Sequence, residues 1–376
     1  MYCRIMPGHI FATGSLVLPM ITNTLRIFVL LTLINFPVFS QVTDSTKVEE
    51  EDYSQYGSTD ESVKYCTQKV RFLSPTKLIS LGYEWQAPFD MKFTYKGDAG
   101  DQSFKEQNVR FFGGARGQFN APVISNNRFI LNVGANYYES ALSFEKSEAK
   151  INPEALGSAL TKGLRTVGLN VTAFKPLDEK HFLILSALGD FSGNFGWNTL
   201  DKQLPKPTYT FAALYGWKKS ENTMWAIGAT QTWRGGEKLY IPLFLMNKTF
   251  NDKWGLEILL PARAHLRYNF SPQSILLGGF EIEGNSYQIS KNELAFVNTK
   301  GGAIDQLELR RSELKFRLMY EQKITGFIWL SVQAGWRMNY KFNFSEGRTS
   351  DRGIFVYESK LGNPLYAGIS LNLVSP

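Results

Sequence analysis

Ile328-Trp-Leu-Ser-Val-Gln-Ala-Gly-Trp-Arg-Met-Asn-Tyr340 decides the fold. Ile328, Leu330, Val332, Ala334, Trp336, Met338 and Tyr340 share one face, and Ser331, Gln333, Gly335, Arg337 and Asn339 share the other. A period of two with one wholly apolar face is a strand with two different solvents on its two sides. Working outward, the same alternation predicts strands at 77–87, 107–120, 127–139, 163–175, 181–193, 207–219, 223–234, 238–249, 253–260, 262–270, 274–287, 304–321, 325–340 and 364–374. Links after even strands are short (121–126, 176–180, 220–222, 250–252, 271–273, 322–324). Those after odd strands are often long (88–106, 140–162, 194–206, 288–303, 341–363). Short turns at one end and long loops at the other are the mark of a transmembrane antiparallel up-and-down β-barrel, here all-β with about 14 strands and 12–16 as the range. Pro261 is read as a tight outer turn, because one bent strand over 253–270 would make the count odd.

The leader and composition agree with that architecture. Residues 1–40 read as a signal peptide: Arg26, an apolar run from Leu25 to Phe39, and a small residue before Gln41. Met20 is a candidate start within it. Beyond the leader no apolar run reaches the ~20 residues of a spanning helix. A spanning structure must then be a closed barrel, since lipid offers unpaired backbone groups no partner. Aromatic residues make up 14% of the chain, as 28 Phe, 17 Tyr and 8 Trp, the stock from which interfacial girdles are built. Residues 41–62 are acidic and read as a flexible periplasmic tail, leaving 63–376 for the barrel; within it, 63–76 is an extra strand, plug or hatch. The leader holds two of the arginines and no acid, so the net charge falls from +7 to +5, too mild and dispersed for nucleic acid. Cys66 is alone outside the leader, so no intramolecular disulfide is expected.

Three details refine the pattern. In strand 2, Val109, Phe111, Gly113, Ala115 and Phe119 are expected outward, against Asn108, Arg110, Arg116 and Gln118. Strand 12 changes phase near Arg310-Arg311, with Leu307 and Leu309 before it and Leu314, Phe316 and Leu318 after; a β-bulge is expected there. The last strand, Gly368-Ile-Ser-Leu371-Asn-Leu373, fits the Gly-x-x-Φ-x-Φ pattern that resembles the C-terminal targeting strand of outer-membrane barrels, although the chain continues to Val374-Ser375-Pro376.

Leu78-Ile-Ser-Leu-Gly-Tyr-Glu-Trp85, Phe280-Glu-Ile-Glu-Gly-Asn-Ser-Tyr287 and Tyr366-Ala-Gly-Ile-Ser-Leu371 resemble an uncharacterised family of outer-membrane β-barrels found mainly in Bacteroidetes. The likeness covers most of 63–374. It implies fold and location and nothing about substrate.

Catalytic and cofactor sites are not expected. His181, His265 and Cys66 sit at no metal-ligand spacing. No serine follows His265 within reach on its strand, and the paired glycines lie in no strand–turn–helix context. The suggestive set is the inward-phase charges Glu84, Arg110, Arg116, Arg267, Glu281, Glu283, Lys315, Arg317 and Arg337. They either pair across strands and stiffen the barrel or line a solute-selecting eyelet. Asn152-Pro153 starts a short loop helix that either constricts the mouth or lies outside on the loops. The leading expectation is a porin-like passive channel for small solutes in the outer membrane of a Gram-negative bacterium. Alternatives are a hydrophobic-compound transporter of fatty-acid type, and a closed barrel acting through its loops as an adhesin, an envelope-assembly factor or a structural protein. Expected partners are outer-membrane lipid, the barrel-assembly machinery and a small solute.

Overall fold

The computed structural model describes residues 65–144, 154–196, 205–234, 237–346 and 355–375. The leader, the acidic tail and the Asn152-Pro153 helix start lie outside them. Alternation produces fourteen wall strands. They are β1 (Lys77–Gln86), β2 (Gln107–Asn126), β3 (Phe129–Phe144), β4 (Leu164–Pro176), β5 (His181–Gly193), β6 (Thr208–Ser220) and β7 (Thr223–Arg234). The second half comprises β8 (Glu237–Thr249), β9 (Trp254–Leu260), β10 (Arg263–Ser271), β11 (Ser274–Ser290), β12 (Gln306–Thr325), β13 (Ile328–Ser345) and β14 (Leu365–Val374). Each pairs antiparallel with the next, and β14 returns to β1 from Lys77↔Val374 to Gln86↔Tyr366. The wall is therefore a closed fourteen-stranded barrel, and closure leaves no edge to satisfy in lipid.

Short turns join the strands at one end. Asn126 Oδ1 accepts from the backbone N–H groups of Arg128 and Phe129, and Asn251 Oδ1 does the same for Lys253 and Trp254. These Asx turns fix hairpin register locally. The β2–β3 turn is tighter than the sequence reading, since Ala121–Asn126 remains strand. Pro261 does separate two strands, β9 and β10.

The outer face is apolar. Leu81, Leu169, Val171, Leu185, Ile227, Leu266, Leu318, Ile369 and Leu371 are exposed on it. Near the turns runs an aromatic row: Trp217 stacks on Trp225 at 4.2 Å, and Trp254, Tyr268, Phe270 and Tyr320 follow in edge contacts. An aliphatic band bordered by rings is the surface of a protein that sits in a bilayer.

At the loop end the barrel narrows. Phe89–Gly97 continues β1 beyond Ala87-Pro88, and Tyr357–Leu361 precedes β14. They pair with each other, and flank β2 and β13. Opposite them, Gly193 of β5 bridges directly to Gln288 of β11, in parallel, above the ends of β6–β10. The upper wall is thus a smaller ring of β2, β3, β4, β5, β11, β12, β13 and the two added segments. Its inside is dry. Met91, Phe93, Val109, Phe112, Leu307, Leu309, Phe342 and Phe344 form one buried cluster with Leu156, Ala159 and Leu160 of the loop helix α1 (Glu154–Thr161).

This dome corrects two expectations. Strand β12 keeps one unbroken register with β11 from Gln306 to Gln322, so no bulge lies at Arg310-Arg311. Leu307 and Leu309 point inward because the interior there is apolar; the hydrophobic phase changes while the backbone phase does not. The irregularity sits in β13, where Ser312 faces Lys341 and Glu313 faces Asn339, leaving Tyr340 as the extra residue. In β2 a second irregularity falls between Val109 and Phe111. It turns Val109 inward and leaves Arg110 exposed, so Arg110 is not a lumen charge.

Candidate transport lumen

Below the dome lies a layer of charge. Glu84 on β1 accepts from Arg116 Nη2 at 2.7 Å, from Lys315 Nζ at 3.2 Å, and from Arg337. Glu313 meets Arg311 at 2.6 Å, Lys315 at 3.5 Å and Arg337 at 3.7 Å. Glu283 meets Lys315 at 2.8 Å and Arg116 at 3.6 Å. Glu281 and Arg317 pair at 2.7 Å; Arg317 Nε also points at His265 Nε2, 3.4 Å away. Lys315 and Arg337 are each 1% exposed and Glu84 6%. Adjacent strands bring these groups together because Glu281, Lys315 and Arg337 are direct cross-strand neighbours in the inward phase. Charges so buried persist only when paired.

The structure thus joins Glu84, Arg116, Glu281, Glu283, Lys315, Arg317 and Arg337. Arg267 stands elsewhere. It is fully buried toward the turn end, where it donates to Glu257 Oε1 at 3.0 Å and Thr249 Oγ1 at 2.7 Å. Sequence reasoning missed Arg311, Glu313 and Glu257. Unbroken alternation from Lys315 and Arg317 back along β12 reaches Glu313 and Arg311; the expected bulge hid them.

Opposite the charges the wall is mainly apolar, interrupted by Ser186, Thr210 and Thr230. Ile184, Leu188, Ala212, Ile241, Leu243, Leu245 and Leu259 take the inward phase of β5, β6, β8 and β9 and are half-buried. The turn end of this wall is covered by a strap, residues 65–76. Cys66, Val70 and Leu73 pack on Phe174, Phe182, Leu214 and Met224. The strap's backbone is held by inward side chains: Ser74 N and Oγ donate to Glu257 at 3.0 and 2.9 Å, Thr249 Oγ1 to Arg71 O at 2.6 Å, and Asn269 Nδ2 to Phe72 O at 3.2 Å. Of the three expectations for this segment, residues 65–76 form no added strand and cover the lumen as a plug or hatch would.

The remaining singled-out residues are structural in setting. His181 Nδ1 lies 2.7 Å from Asp178 Oδ2 in the β4–β5 turn. The Asp178 carboxyl is held below its ordinary range by the backbone N–H of Lys180, then by the His181 ring. Cys66 Sγ donates to the His181 backbone oxygen at 3.4 Å, and burial pushes the thiol up, opposite to what a nucleophile needs. Among the described residues, no group of His, Cys, Asp and Glu could hold a metal. In β14, Leu371 and Leu373 face outward, and Gly368 leaves room for the Gln333 side chain inside the wall.

Fold and lumen define the chain as a closed, plugged β-barrel of the kind that spans a bilayer. The family model described as "Domain of unknown function (DUF6268)" matches residues 129–373, more than half of the chain, and the protein belongs to that family. No curated protein matches it. Among solved structures it is similar to a FadL homologue of Pseudomonas aeruginosa, at 9% identity and a TM-score of 0.37, over 79% of this chain and 90% of that one. It is also similar to the toluene transporter TodX of Pseudomonas putida, at 8% identity and a TM-score of 0.31, over 83% and 95%. The outer-membrane protease OmpT of Escherichia coli matches at 11% identity and a TM-score of 0.29, over 80% and 98%.

Proposed function

We propose that this barrel is an outer-membrane channel for small hydrophobic or amphiphilic molecules, gated at both ends. The observation that carries it is the two-faced lumen: a mainly apolar wall from Ile184 to Leu259 opposite a paired-charge wall, between a dry dome and a strap. A half-buried apolar wall inside a protein suits a ligand with apolar surface, because each such contact removes that surface from water. The charge layer supplies the stiff counter-wall that keeps the lumen from collapsing onto it. The porin-like passive pore for small polar solutes is less well supported. Its axis would have to run through Phe93, Phe342, Phe344 and Leu160, all essentially fully buried.

On this reading the protein resides in the outer membrane. The barrel-assembly machinery would engage Gly368, Leu371 and Leu373 of β14 during insertion. The test is uptake of the fluorescent hydrophobe N-phenylnaphthylamine into proteoliposomes, beside planar-bilayer conductance of the same preparation. We expect uptake without steady ionic conductance, and reduced uptake in Leu243→Asp with the barrel still folded by its heat-modifiable migration. Steady conductance without hydrophobe uptake would restore the passive pore. Neither signal would move the function to the loops.

A further inference from the structure

We infer that the outer dome is a gate whose latch is the β5–β11 seam, closed by Asn194 and Asn285. This rests on the transport reading above.

The junctions on either side of it are long antiparallel ladders, β4–β5 from Arg165↔Gly193 to Pro176↔Phe182 and β11–β12 from Ser274↔Gln322 to Ser290↔Gln306. The Tyr357–Leu361 segment meets β13 at one antiparallel bridge, Phe344↔Tyr357, but is paired along its whole length with Phe89–Gly97. The β5–β11 seam is one parallel bridge, Gly193↔Gln288. Side chains supply the rest. Asn194 is 2% exposed. Its Nδ2 donates to Ser290 O at 2.9 Å and to Ala159 O at 3.3 Å, and its Oδ1 accepts from Ser290 N at 2.9 Å. One amide therefore ties the end of β5 to β11 and to α1. Lower in the seam, Asn285 Nδ2 donates to Thr166 Oγ1 at 2.9 Å and to Ser192 Oγ at 3.0 Å. The strands approach so closely that a Cβ on Gly193 would lie 2.6 Å from Gln288 O.

The chemistry of the seam makes it the part that yields. Its groups are amides and hydroxyls, and water replaces such partners at little net cost. The ladders beside it would have to break many backbone bonds together. Opening also parts Leu156 and Leu160 of α1 from Tyr287 and Ile289 of β11, members of one buried cluster. That apolar surface is costly in water, and an apolar solute entering the gap covers it. The latch thus couples opening to the class of ligand proposed for the lumen, and keeps ions out when no ligand is present.

The test uses the mature chain with Cys66→Ser, to which Ser192→Cys and Asn285→Cys are added. Their side chains meet across the seam. N-phenylnaphthylamine uptake is compared in the reduced and oxidised protein, with the cross-link verified by mass. We expect uptake when reduced and its loss when oxidised; a verified cross-link that leaves uptake unchanged overturns the latch. If the parent transports nothing, the transport reading fails. The latch is then decided by hydrogen exchange: Asn194→Ala should speed amide exchange in α1 by about tenfold or more while β12–β13 stays protected. Unchanged exchange in α1 overturns it.

Discussion

Removing one carboxylate from the lumen tests whether its charges are architecture. Glu84 bridges Arg116, Lys315 and Arg337, and only Glu283 and Glu313 remain to serve four cations when Arg311 is included. With all three carboxylates the layer carries one excess positive charge; Glu84→Gln makes it two, at nearly constant volume. Breaking a buried pair by removing one partner costs roughly 3–5 kcal/mol. Lys315 retains Glu283 at 2.8 Å and Arg337 retains Glu313 only at 3.7 Å, so the low end, about 3 kcal/mol, applies. The control is Glu221→Gln, whose partner Arg71 is 64% exposed; it should change stability by less than about 1 kcal/mol. The assay is denaturant unfolding in detergent or vesicles, followed by heat-modifiable migration. Adding Arg337→Met to Glu84→Gln should recover part of the loss, because the stranded cation goes with its partner. A loss under about 1 kcal/mol for Glu84→Gln, or a double variant as weak as the two single losses combined, would refute the structural role.

Other outcomes follow from the wall, the strap and one turn. Leu318 is 60% exposed on the lipid face between Phe316 and Tyr320. Leu318→Arg should therefore lower insertion stability by roughly 2–4 kcal/mol, read out as folding yield into vesicles, and Leu318→Ala should insert. Glu257→Gln strips Arg267 of its carboxylate and weakens the acceptor of Ser74. The strap should then be cleaved faster by protease between residues 65 and 76, and parental cleavage rates would argue against its tether. The Asp178 carboxyl is depressed in the folded state. Its contribution is present above the ordinary carboxylate range and is lost as pH falls through the lowered value. Amide exchange at Lys180 and His181, whose N–H groups it accepts, should quicken in acid beyond the intrinsic trend, and Asp178→Asn should remove that extra pH dependence.

Strand number was legible because a barrel strand reads two solvents at once. Ile328 to Trp336 alternates in the structure as in the sequence, with Val332 and Trp336 outside and Ser331 and Arg337 inside. Pro261, a short turn and the even count placed β9 and β10 correctly. Alternation also put Glu84, Lys315 and Arg337 on the inner face. It misread the residues where one of the two solvents changes. Leu307, Leu309, Phe342 and Phe344 point inward because the dome interior is dry. That dryness comes from α1, Phe89–Gly97 and Val356-Tyr357 folding across the mouth, contacts far apart in sequence. No local pattern separates an inward leucine beneath a plug from an outward leucine beside lipid. Arg110 fails for a related reason: a bulge adds one residue, and only the partner strand reveals which side gained it. Periodicity, a local property of the chain, carried an antiparallel barrel of about 14 strands with 12–16 as the range; the closed pairing fixes the count at fourteen. Tertiary structure alone decided that the lumen is capped, strapped and internally paired, since those depend on which inward side chains meet across the barrel.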